Sequence, residues 1–169
     1  MKNLNHEDLV KMITNAFSGS VYPGDDALVP HFDRDLERQR IMEFFKRKRW
    51  EDLSFQSIDS GYQGEGSVCL YFMTTEALRY YLPAYMVITL DEFDDAEFFA
   101  DTVVRTLTPP EAGSEDFKQF IAWAASFSQE QREAVKQYLL YMSENHADDF
   151  QLEGAPDIAL NRFWRKLLL

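Results

Sequence analysis

A mainly α fold, a single compact helical domain, is predicted for this 169-residue chain by three observations. Fourteen Phe stand against only seven Gly and six Pro, which favours helices joined by short loops over a turn-rich β-sandwich. Apolar residues recur at spacings of three and four along most of the chain, the period of a helix with one buried face. Ser128-Gln129-Glu130-Gln131 carries the hydroxyl cap and the N3 amide of a capping box. With 46% hydrophobic and 15% aromatic residues, such a chain can bury roughly 70% of the surface it exposes when unfolded.

Asn5 caps a first helix whose inner face is Leu9, Met12, Ile13, Ala16 and Phe17. SGSVYPGDDALVP interrupts the period, with Pro23-Gly24 marking a turn and the following Asp pair compatible with it. A second helix is expected from about Asp35 to Lys48, with Leu36, Ile41, Phe44 and Phe45 inward and the basic Lys46 to Arg49 complementing its C-terminal dipole. Trp50 then packs back on the core. Ser54 to Gly66, with glycines at 61, 64 and 66, reads as a loop. Ser67 to Phe72 reads either as a short strand or hairpin or as a lead-in packed under the next helix.

That next helix is the centre of the predicted fold. Thr74 caps it, and Ala77, Leu78, Tyr81, Leu82, Tyr85 and Met86 form a wide apolar stripe as far as Leu90. Pro83 removes the bond to the Arg79 carbonyl and should kink it. Asp94 or Asp95 caps a further helix with Phe99, Val103 and Leu107 inward, stopped by Thr108-Pro109-Pro110. Phe117, Phe120, Ile121 and Ala124 continue a helical stripe. After the Ser128 cap, Ala134, Val135, Tyr138, Leu139 and Met142 line one face. Pro156 at N1 opens the last helix, whose buried face is Leu160, Phe163, Trp164 and Leu167.

The single cysteine, Cys69, lies among apolar neighbours, so a small buried hydrophobe is its ordinary role, and one cysteine fits a reducing compartment. The N-terminal MKNLNHEDLVKMITNAF has no apolar h-region of signal-peptide length, and no apolar run is long enough to span a bilayer. A cytoplasmic protein without a membrane partner is expected. Its net charge of -12 disfavours nucleic acid and favours a basic protein partner.

YPGDD at Tyr22 to Asp26 and TTEALRYYLPAYM at Thr74 to Met86, with FSQEQREAV at Phe127 to Val135 and ALNRFW at Ala159 to Trp164, resemble a bacterial family of small acidic domains of unknown function. The resemblance implies a mostly helical bacterial domain and supplies no catalytic or binding residue.

Conventional chemistry is sparse. His31-Phe32-Asp33 and His146-Ala147-Asp148-Asp149 lack the i, i+4 ligand spacing of a helical metal site, and no phosphate loop, nucleophile elbow or Cys cluster is present. No catalytic residue, metal or cofactor is expected. The Asp25-Asp26 pair fits a capped turn better than a carboxylate site, and Arg79 beside tyrosines fits a bridge between helix ends. One surface feature has a clear physical consequence. Asp91, Glu92, Asp94, Asp95, Glu97 and Asp101 place six carboxylates within eleven residues with no basic residue among them. Phe93 and Phe98 interleave them, an aromatic anchor ringed by charge. These eight residues are the expected partner-binding site of a non-enzymatic binding protein, in sharper form an immunity or inhibitor protein covering the substrate groove of a basic toxin. The alternatives are a small enzyme gathering Asp25 with Asp26 or Glu76, and a structural or regulatory subunit. The sequence sets no oligomeric state.

Overall fold

The computed structural model describes residues 4–31 and 34–166. The fold is mainly α. The helices are α1 (His6–Phe17), α2 (Leu36–Phe45), α3 (Phe55–Gly61), α4 (Thr75–Asp91), α5 (Glu97–Leu107), α6 (Glu115–Ala125), α7 (Gln129–Asn145) and α8 (Ala155–Ala159), with 3-10 turns at Asp25–Ala27, Trp50–Asp52 and Gly66–Phe72. No strand occurs among the described residues. The chain forms two compact units, residues 1–18 with 103–169 and residues 19–102, whose second boundary falls inside α5.

In the first unit, α1 packs along α7, and α7 in turn holds α8. The cause is the spacing of the apolar residues: Leu9, Ile13 and Phe17 of α1 and Ala134, Val135, Tyr138, Leu139 and Met142 of α7 are all buried. Asn5 accepts from the Asp8 amide and Ser128 from the Gln131 amide, and Gln131 returns its side chain to the Ser128 N–H. Ser114 caps α6, whose Phe120, Trp123 and Ala124 are buried, while Phe117 and Ile121 are half-buried. Pro156 falls one position later than expected, after Ala155, because Gly154 takes a left-handed φ of 70° and begins the helix early. Beyond α8 the chain widens into a π-helical turn, Leu160–Trp164, that buries Leu160, Phe163 and Trp164. Leu167 and the Phe32-Asp33 pair lie outside the described residues.

The second unit is built on α4. Its residues Tyr80 to Met86 are all buried, with Tyr81, Leu82, Tyr85 and Met86 fully so. Pro83 sits inside the helix, which runs on to Asp91. Four expectations are corrected here. Residues 67–72 are neither strand nor hairpin, because burial of Gly66, Cys69 and Ser67, Leu70 repeats every third residue, which a 3-10 turn satisfies. The loop expected over 54–66 contains α3, closed by a reciprocal Ser54–Ser57 capping box. The second helix stops at Phe45, short of Lys48, because Lys46 leaves the helical region (ψ 133°) and Arg47 adopts a φ of 58°. Leu36, expected inward, is 57% exposed at the first turn of α2.

Candidate functional site

The acidic stretch forms the corner between α4 and α5. Asp91 ends α4, and Glu92 is its C-cap, its N–H bonded to Ile88 O. Phe93, Asp94 and Asp95 make the turn, and Ala96 N–H closes it on Glu92 O (2.9 Å) and Phe93 O (3.1 Å). Because Ala96, Phe99 and Ala100 take the buried positions, the intervening Asp94, Asp95, Glu97 and Phe98 are driven outward. Phe99 fixes the start of α5, stacking on Tyr85 at 5.1 Å and meeting Phe55 edge-on at 5.5 Å. Phe98 is 54% exposed, Phe93 and Asp101 are half-buried, and the remaining five carboxylates are exposed.

Neither Asp94 nor Asp95 is the N-cap expected of them, since α5 opens at Glu97 and the residue before it is Ala96. Capping therefore explains little of this charge. Glu97 suits the positive end of α5, but Asp91 and Glu92 stand at the negative end of α4, where a carboxylate opposes the helix dipole.

The two most distinctive sequence phrases prove to be scaffold. Gly24 turns with a φ of 98°, and Tyr22 OH donates to Asp25 Oδ1 at 2.6 Å. The Arg47 amide donates to Tyr22 OH (3.0 Å) and to Asp25 Oδ1 (3.2 Å), so this clip satisfies the chain where α2 has ended. The hydrogen bond from Tyr22 holds the Asp25 carboxyl below its usual range, with Arg47 adding to it. Burial and the bond to Asp25 push Tyr22 up to about 12. Thr74 caps α4 by accepting from the Ala77 amide while its hydroxyl donates to Ala27 O, which fastens the same loop. Along α4, Tyr81 OH lies 2.9 Å from Phe45 O and 2.8 Å from Lys48 O, and Tyr85 OH donates to Gly66 O at 2.8 Å. Tyr80 accepts a backbone bond from Trp50 and meets Tyr22 edge-on at 5.6 Å. One aromatic row thus ties the α2 end and two 3-10 turns to the central helix.

A family model described as "Family of unknown function (DUF6714)" matches residues 5–168. The chain belongs to that family. No curated protein and no solved structure matches it.

In this DUF6714 protein the other sequence candidates resolve into local roles. Asp25 serves the clip, and exposed Glu76 accepts from Thr75 Oγ1 at 3.1 Å. His146 is the C-cap of α7, its Nδ1 3.1 Å from Asp149 Oδ2. Cys69 is buried, and burial pushes its thiol up to about 12. No group of three or more His, Cys, Asp or Glu among the described residues is placed to hold a metal ion, and no described helix is long and apolar enough to cross a membrane. The described residues form clefts at two places of interest. One of about 850 Å³ lies between α1 and α7, walled by Asp8, Lys11, Glu130 and Glu133. The other, about 500 Å³, lies between α2 and the end of α3. Sequence reasoning missed the second because it took α3 for a loop, although the Ser54–Ser57 pair and the Phe55–Ile58 spacing were there to be found.

Proposed function

We propose that this protein is a non-enzymatic binding protein of the cytoplasm that docks a basic protein through the α4–α5 corner. In its sharper form it is a bacterial immunity or inhibitor protein that neutralises a basic toxin, such as a nuclease, by occupying the groove meant for an anionic substrate. The observation that carries the reading is an exposed aromatic ring, Phe98, set among carboxylates that helix capping does not account for. Exposed charges of one sign steer an oppositely charged partner and raise the rate of encounter. An aromatic side chain that becomes buried on docking supplies residence time. The net charge of -12 extends the same field over a longer range.

The test is a paired capture from the native host, with the wild-type chain and the Phe98→Ala chain immobilised side by side and bound proteins identified by mass spectrometry. The proposal expects a basic protein retained by the wild type and lost by the variant. Equal retention by both chains would contradict it.

A further inference from the structure

The cleft between α2 and the end of α3 has a chemistry opposite to that of the acidic corner. One wall is a single face of α2, where Leu36, Arg40 and Phe44 follow at four-residue steps. The other wall is the turn Gly61, Tyr62 and Gln63. The floor is the half-buried ring of Phe44, backed edge-on at 5.7 Å by Tyr62, which is 5% exposed. Glycines permit that approach: a Cβ on Gly61 would lie 3.1 Å from Phe44 Cε2, and one on Gly64 would lie 2.8 Å from Tyr62 Cε1.

Two cations border the floor. Lys48 reaches back past the end of α2 so that Nζ stands 4.3 Å above the Phe44 ring, bonded to the Phe44 carbonyl. That leaves the ammonium with donors to spare. Arg40 Nη1 forms a loose ion pair with Glu37 Oε2 at 3.8 Å, longer than a hydrogen bond, and the other oxygen of Glu37 accepts from Tyr62 OH. A carboxylate lining the cleft, Glu43, is held by Lys46 at 2.5 Å. Gln39 and Gln63 add amides.

We propose that this cleft binds a small organic anion with a flat apolar body, an aromatic or heteroaromatic carboxylate, its ring against the accessible edge of Phe44 and its carboxylate between Arg40 and Lys48. The volume suits a small molecule, since ligand clefts commonly measure about 300–1,000 Å³. Charge-assisted bonds from a planar guanidinium favour a carboxylate in particular. The site is separate from the acidic corner, and either proposal can fail while the other stands.

The experiment is a two-dimensional NMR titration of the full chain with benzoate, 4-hydroxybenzoate, nicotinate and indole-3-acetate, with benzamide and inorganic phosphate alongside. At least one aromatic carboxylate is expected to saturate, moving the amide signals of Gln39, Gly61 and Gln63. Benzamide should bind the wild type at least about tenfold more weakly than the matching carboxylate, the ratio that loss of one charge-assisted contact implies. In Arg40→Gln and Lys48→Gln, folded by the same spectra, the carboxylate should weaken by a similar factor while benzamide is unchanged. The proposal is overturned if no aromatic carboxylate saturates, if benzamide matches the carboxylate, or if phosphate produces the same shifts with equal affinity.

Discussion

Trp164 shows how much one side chain holds in the first unit. It is 1% exposed, its indole N–H donates to Leu107 O at 2.7 Å, and its ring meets Phe163 at 5.2 Å, with Phe127 and Phe120 near 6 Å. Trp164→Ala should cost roughly 3–5 kcal/mol, the usual range for truncating a large buried aromatic. Thermal or denaturant unfolding measures it, and a change as small as that of a surface substitution would refute the packing described. In the second unit, Cys69 is fully buried with its thiol pushed up to about 12, so little thiolate forms near neutral pH. A thiol reagent should therefore leave the native protein unlabelled at pH 8 and label it in denaturant. Both residues were legible in the sequence, Trp164 from its place on an apolar stripe and Cys69 from its neighbours. Gly66 was not, because its reason is tertiary: a Cβ there would stand 2.5 Å from Ile58 Cγ2.

Among the elements, the long ones with clear periodicity were readable and the short ones were not. α4 and α7 each bury a stripe that the 3.6-residue period makes visible. α3 is only seven residues long, is followed closely by glycines, and uses Ser57 where a capping box usually has Glu or Gln. The end of α2 is hidden from the sequence because Arg47 takes a left-handed φ unusual for a side-chain-bearing residue, made tenable by the Tyr22–Asp25 clip 22 residues and more upstream. Nothing local predicts that. Tyr81→Phe removes the hydroxyl that serves the Phe45 and Lys48 carbonyls and should cost about 1–3 kcal/mol, measured by denaturant unfolding. The clip has its own pH signature. Tyr22 is raised from 10.0 to about 12 in the fold, so its stabilising contribution is whole below pH 10 and is lost as pH rises toward 12. Asp25 is lowered, so its contribution is present above the ordinary carboxylate pKa of 3.8 and lost as pH falls below it. The stability difference between wild type and Tyr22→Phe should thus stay level through neutral pH and shrink above pH 10. A difference that grew there would contradict the geometry.

At the scale of the whole molecule, the acidic corner was legible as composition but not as geometry. The sequence displayed six carboxylates and two phenylalanines, and only the fold separates exposed Phe98 from half-buried Phe93 and sets Asp91 and Glu92 against the dipole of α4. If the corner recruits a basic protein, its exposed charges act on encounter, and screening to about 8 Å at physiological ionic strength weakens them. Desolvated anchors act on residence time instead. The most direct measurement is the association rate of the captured partner at low and physiological salt, for the wild type and for the chain with Asp94, Asp95 and Glu97 all changed to Lys. Salt should slow the wild type, and the triple reversal should lower the association rate more than it raises the dissociation rate, with the helical spectrum kept. An unchanged association rate in a folded triple reversal would contradict it and leave the corner as a solvated turn between two helices.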